Sequence, residues 1–242
     1  MRRWESKLSD EEIMRRFNIF MKRYGDKYDD YIREILYTEF LKNVGEREMY
    51  GEFYQLYDHL NIIQPKDNPY IYHLNTISNN FDLSGNILEV GCGAYPSFAR
   101  RIADKQLKIG KGTITVYDPS LVTRRTTKYK NMKLVAKEFT PEVSIKEYDL
   151  VIGIMPCLAT DSIIESLSIT PKDFYISFCG CDHYAIRFGY NPFRFMTPSY
   201  NSNIEELKHI CEKKDLGQLI LDELPPYYCI DYPVVYNKRK TK

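Results

Sequence analysis

A chain of 242 residues, 43% hydrophobic and 28% charged, is long enough for one full-sized domain or one domain with an appendage, and it can bury a sizeable core. Its net charge of +1 gives no electrostatic footprint for nucleic acid, and Arg124-Arg125 and the run Lys238-Arg239-Lys240 read as solvated ends rather than a binding groove. No apolar run is long enough to span a bilayer, Met1-Arg2-Arg3-Trp4-Glu5 lacks the apolar core of a signal peptide, and the six cysteines suit buried thiols of a reducing compartment, so the expected location is cytoplasmic.

The first eighty or so residues read as helices. Ser9-Asp10-Glu11-Glu12 has the form of a capping box, and Ile13, Phe17, Phe20 and Tyr24 follow at helical spacing until Gly25. Ile32, Ile35, Leu36, Phe40 and Val44 form a second stripe; Met49, Phe53, Leu56, Tyr57 and Leu60 form a third. Asn68-Pro69 carries the N-cap and first-turn proline signature of a fourth helix, running to about Asn79. These stripes are the packed faces of a helical cap over residues 1–82.

After the turn Phe81-Asp82-Leu83-Ser84-Gly85 the periodicity changes, and residues 83–242 read as a second domain. Strands are expected at Asn86–Val90, Thr113–Tyr117, Met132–Ala136, Tyr148–Ile154, Phe174–Cys179, Gln218–Glu223 and Ile230–Tyr236. Helical patterns lie between them at Ser97–Ala103, Leu121–Tyr129, Pro141–Lys146 and Asp161–Leu167, and a second capping box, Ser202-Asn203-Ile204-Glu205, opens another. Alternation of this kind implies an α/β fold: a Rossmann-like, mostly parallel seven-stranded sheet with helices on both faces. The last two strands suit an antiparallel hairpin at one edge.

The stretch Ile87-Leu88-Glu89-Val90-Gly91-Cys92-Gly93-Ala94-Tyr95-Pro96-Ser97 carries most of the functional information. An apolar strand runs into Gly-x-Gly and a helix begins a few residues later, so backbone N–H groups and a helix dipole converge on one point. Glycine lets the chain turn sharply and approach a ligand closely. This segment resembles motif I of the class I S-adenosylmethionine-dependent methyltransferases. It departs from the motif where Tyr95-Pro96 replaces a commonly found third glycine, and proline supplies no N–H there.

The resemblance implies S-adenosylmethionine as cofactor and methyl transfer as the activity. It implies that Asp118, at the end of the second strand and followed by Pro119, accepts hydrogen bonds from the ribose hydroxyls. It implies that Glu89 supports the loop and reaches the ligand's amino-acid end, while Gly91, Cys92, Gly93, Ala94 and Tyr95 line it. Glu138 and Phe139, just past the third strand, become candidates for the adenine, with a surface Glu beside a core Phe as the alternative. Ile154-Met155-Pro156-Cys157 takes the place of motif IV, with Ile154 and Pro156 at the cofactor; it lacks the amide and aromatic that hold a flipped base, which counts against nucleic-acid base methylation.

Cys179-Gly180-Cys181-Asp182-His183 has spacing too tight for a metal knuckle, so no metal is expected. His183 is the candidate general base, because its ordinary pKa lies near neutrality. Tyr95 is the candidate for steering which carbon on the sulfonium is attacked. The helical cap followed by a proline-interrupted glycine loop also resembles nicotianamine-synthase-like enzymes, which would imply aminocarboxypropyl transfer. A protein that binds the cofactor without turnover is a further alternative. A dehydrogenase is excluded, since its third glycine would fall at Pro96. The aromatic segment Tyr184–Tyr200 and the Tyr-rich cap suit a small-molecule acceptor.

Overall fold

The computed structural model describes residues 6, 8–27, 33, 34, 37, 38, 40, 60, 68–93, 95–121, 129–156, 159–178, 198–223 and 233–238. The chain divides into two units, Met1–Thr76 with Leu224–Asp231, and Ile77–Glu223 with Tyr232–Lys242. The sequence suggests a division at residue 82. Here it falls four residues before the end of a continuous helix, so the helix contributes turns to both units.

In the first unit, α1 spans Asp10–Tyr24. The Ser9 hydroxyl accepts the Glu12 N–H at 3.2 Å, while the Glu12 carboxylate turns away to the Arg15 and Arg16 guanidiniums. Only half of a capping box therefore forms. Gly25 keeps right-handed dihedrals and passes into a short 3₁₀ turn, Gly25–Lys27. Phe17 on the buried face of α1 stacks on Phe40 with ring centroids 3.9 Å apart. Most of the second and third helical stripes lie outside the described residues. The fourth helix, α2, spans Pro69–Asn80, and the Asn68 side chain accepts the Tyr70 N–H at its start.

The second unit is built on a seven-stranded sheet. Its strands are β1 (Asn86–Val90), β2 (Thr113–Tyr117), β3 (Met132–Val135), β4 (Leu150–Ile154), β5 (Asp173–Ser177), β6 (Gln218–Glu223) and β7 (Pro233–Lys238). Their order is β3-β2-β1-β4-β5-β7-β6. The first five strands are parallel; β7 runs antiparallel to both β5 and β6. The expected terminal hairpin is present, although β7 lies inside the edge strand β6.

Helices α3 (Ser97–Ile109), α4 (Thr160–Ile169) and α5 (Pro198–Lys214) belong to this unit. Side chains alternate across the sheet. Leu88, Val90, Val151, Phe174 and Ile176 meet Ile163, Leu167, Leu207 and Ile210 of α4 and α5 in one core. On α3, Phe98, Ala99, Ile102, Ala103 and Gln106 are buried, and the helix packs along β2 and β3.

Three expectations need correction. Pro141–Lys146 is a pair of turns closed by Val143 N–H to Thr140 O and Tyr148 N–H to Ile145 O, so no helix forms there. Helix α3 continues to Ile109, where Gly110 adopts the left-handed conformation and caps it. Helix α5 opens at Pro198, four residues before Ser202, because proline's fixed φ suits a first helical turn. The expected helix Leu121–Tyr129 lies almost wholly outside the described residues. Among the described residues no helix is long and apolar enough to cross a membrane.

Two buried amides stitch the sheet to its surroundings. Gln106 Nε2 donates to the carbonyls of Leu83, Gly85 and Thr113, and its oxygen accepts from Asn131. Fully buried Asn237 accepts the Phe174 N–H at 2.7 Å and donates to Asp173 and to the Leu216 carbonyl. Removing such a group strands its partners without water. Asn237→Leu is expected to lower stability by roughly 2–4 kcal/mol, measured by urea denaturation, because a Phe174 N–H and a Leu216 C=O lose their partners inside the core.

Candidate functional site

In the strand order, β1 and β4 are neighbours whose onward connections run to opposite sides of the sheet. In open α/β sheets the crevice at such a reversal, beyond the carboxyl ends of the strands, is where ligands bind. The two strand ends touch here. Gly91 sits at φ +79°, and a Cβ placed on it would stand 2.6 Å from the Pro156 Cα and 3.0 Å from its carbonyl oxygen. No other residue fits without moving the β4 loop. Its N–H extends the ladder by donating to the Tyr117 carbonyl at 2.9 Å.

Across the gap, Met155 takes φ +51°, a left-handed conformation that costs a non-glycine residue free energy. Its N–H bonds to the Ser177 carbonyl at 2.8 Å, so the end of β4 is pinned to β5 at the point where the backbone turns. Buried Ile154 and Pro156 flank it.

Gly93, at φ +73°, completes the turn after β1. Its N–H donates to Asp118 Oδ2 at 2.8 Å. The other oxygen of Asp118 accepts the Ser120 N–H at 2.8 Å and also the Ser120 hydroxyl. Asp118 is buried, whereas Pro119 beside it is exposed. The expected ribose acid therefore has most of its lone pairs filled by the protein. A ligand diol can take both oxygens only if the Ser120 hydroxyl rotates away. Ser120 was legible, since Asp-x-Ser is the pattern of an Asp side chain bonding backbone two residues on.

Pro96 precedes α3 and offers no side-chain cap. The cap comes from a distance: Glu89, within β1, accepts the Ala99 N–H in the first turn of α3. Glu89 is 2% exposed, and its Oε2 has no hydrogen-bond partner. Burial, with the Asp118 carboxylate nearby, raises its pKa from the ordinary 4.5 to about 8, against the lowering effect of the Ala99 N–H. Cys92 is also buried, and its thiol pKa is pushed well up by burial and by Glu89 and Asp118. It stays a thiol at neutral pH and is no nucleophile.

The remaining candidates separate. Tyr95 is 8% exposed, with its carbonyl accepting the Ser97 N–H. Phe139 belongs to the apolar core and meets the Tyr117 ring edge-on at 5.7 Å, while Glu138 is exposed. Asp149, read as structural, accepts the Asn86 N–H at 2.8 Å and ties the starts of β4 and β1 together. Ala94, His183 and the Cys179–His183 cluster lie outside the described residues; among the described residues no group of His, Cys, Asp and Glu could hold a metal ion.

No protein-family model matches the sequence, and no curated protein matches it. Among solved structures the chain is similar to the S-adenosylmethionine-dependent methyltransferase SibL in its apo form, with 12% identity, 97% of this chain and 71% of that chain covered, and a TM-score of 0.48. It is similar to magnesium protoporphyrin IX methyltransferase from Synechocystis PCC 6803 with bound SAH (12% identity, 73% and 84% covered, TM-score 0.46). A third is the 23S rRNA methyltransferase ErmE (13% identity, 71% and 68% covered, TM-score 0.41). The strand order and the antiparallel β7 give the fold on their own terms. It is a Rossmann-like α/β fold.

The buried acid makes a stability prediction. Between pH 4.5, its ordinary value, and about 8, Glu89 holds a proton in the folded chain that the unfolded chain has lost. Its share of stability is complete below that window and is lost as pH rises through it. Wild-type protein is expected to lose more melting temperature between pH 5 and 8 than Glu89→Gln, as measured by thermal unfolding; parallel curves would mean that Glu89 is already ionised.

Proposed function

We propose that this chain binds S-adenosylmethionine across the carboxyl ends of β1, β2 and β4 and transfers its methyl group to a small-molecule acceptor. The observation that supports the reading most is the bond between Gly93 N–H and Asp118. It joins the glycine turn after the first strand to the acid after the second, the two elements whose spacing suggested the cofactor. The residues present suit such a ligand: Glu89 offers an unpartnered buried oxygen, and Asp118 an acceptor for ribose hydroxyls.

S-adenosylmethionine, when bound, supplies a sulfonium whose attached carbons are electrophilic. The protein's part is alignment and exclusion of water. Asp118 orients the ribose, with Ser120 giving way. Gly91 and Gly93 keep the backbone close, and Cys92 stays neutral beside them. The exposed Glu138 carboxylate can meet the adenine amine. Met155 and Pro156 hold the acceptor side of the crevice against the cofactor side, with Tyr95 buried in the glycine loop between β1 and α3. A net charge of +1 favours a small acceptor over a polyanion.

The first test is calorimetric titration with S-adenosylmethionine and S-adenosylhomocysteine. Wild type is expected to bind both in the micromolar range. Asp118→Ala is expected to weaken binding at least tenfold through loss of both the ribose contact and the Gly93 anchor, a difference of about 1.4 kcal/mol or more. Ser120→Ala is expected to bind at least as tightly as wild type, because it frees a lone pair on Asp118. A folded wild-type sample that binds neither nucleoside would sink the reading. Acceptor screening then separates methyl from aminocarboxypropyl transfer by product, homocysteine-bearing nucleoside against methylthioadenosine.

A further inference from the structure

Helix α3 outruns the strands it covers. Gln106 marks the rim of the sheet, because its amide reaches the carbonyls of Leu83 and Gly85 in the turn before β1 and of Thr113, the first residue of β2. The helix continues past that point to Ile109, and the Lys111 N–H closes back onto the Gln106 carbonyl. The turn beyond the rim has no sheet to bury its apolar side chains against, so Leu107 and Ile109 are 49% and 51% exposed. Single exposed aliphatic residues are ordinary on a protein surface. These two stand among cations.

Lys108 lies between them, with Lys105 and Lys111 on either side. Tyr129 and Asn131 hydrogen-bond to Asp104, Ala103 and Gln106 of α3, which brings Lys130 to the same tip. Lys108, Lys111 and Lys130 are exposed. The ion pairs among the described residues lie on α1 and α5, so none of these four ammonium groups takes part in one. Two acids are close: Asp104 accepts the Tyr129 hydroxyl, and Asp82 holds Ser84 while feeling the charge of Lys111. The wider segment shares the bias. Residues 97–137 hold eleven of the 34 Lys and Arg residues but only two of the 33 Asp and Glu. The net charge of +1 therefore conceals a strongly basic segment that contains α3, β2 and β3.

We propose that the tip of α3, together with the entry to β3, docks on the anionic surface of a lipid bilayer. Leu107 and Ile109 enter the headgroup layer, and Lys105, Lys108, Lys111 and Lys130 meet anionic headgroups. Cations around protruding aliphatic side chains fit a surface that is negative outside and apolar beneath. Nucleic acid matches the charge alone: its phosphates make no use of aliphatic side chains, and unpaired bases are held by stacking on aromatic rings. The 13 residues of α3, about 20 Å of helix, separate this tip from the glycine loop at the other end. Docking there leaves the carboxyl edge of the sheet uncovered.

Co-sedimentation with vesicles tests this. At low salt the protein is expected to partition onto vesicles of phosphatidylcholine and phosphatidylglycerol in equal parts, not onto phosphatidylcholine alone, and to be released as salt rises. Lys108→Gln/Lys111→Gln is expected to weaken partition at least about tenfold. Leu107→Gln/Ile109→Gln, which keeps every charge, is expected to weaken it at least about fivefold. Both variants alter exposed side chains and are expected to keep the wild-type melting temperature. Absence of wild type from the anionic vesicles overturns the proposal. Partition that the aliphatic variant does not weaken overturns it as well, and binding of polyuridylate by that variant at wild-type strength would then assign the surface to nucleic acid. None of these outcomes depends on which cofactor the crevice takes.

Discussion

Everything at the carboxyl edge of the sheet follows from the lack of space between Gly91 and Pro156. The chain leaving β1 passes so close to the β4 loop that a single Cβ would collide with backbone. That fixes glycine at 91 and a positive φ, which in turn fixes the direction of the loop. Turned this way, the loop brings the Gly93 N–H to Asp118 and lets α3 begin over β1, where its third N–H finds Glu89. The same contact explains the strain on the other side. Met155 can hold φ +51° because its N–H is bonded to β5 and Pro156 behind it is packed on Gly91. Two loops from strands with opposite onward paths thus support one another.

The sequence carried the parts of this arrangement that depend on periodicity and on backbone freedom. β1, β2 and β6 stand where the apolar runs placed them, because each run is bounded by residues that cannot continue a strand. The glycine turn and Asp118 were legible for the same reason, since each is a local signature. What was not legible is long-range pairing. Nothing in the sequence joins Glu89 to Ala99 or Gln106 to three carbonyls spread over thirty residues. Pro96 gave the one hint, as a helix start without a capping side chain. Competing local signals account for the errors: Ser202-Asn203-Ile204-Glu205 looks like a helix start, and Pro198 is a better one. Of the two adenine candidates, Phe139 lies in the core and Glu138 faces solvent.

Glu89 and Asp118 show how one fold gives two carboxyl groups different work. They sit on neighbouring strands, and each is buried. Asp118 lies just past a strand end, where two backbone amides and a hydroxyl converge on it. Glu89 lies one residue before the end of its strand, where both cross-strand neighbours are apolar and, among the described residues, its donor is the helix it caps. An acid two register positions further along the sheet therefore meets three donors in place of one. That difference in surroundings follows from strand position rather than from any further residue.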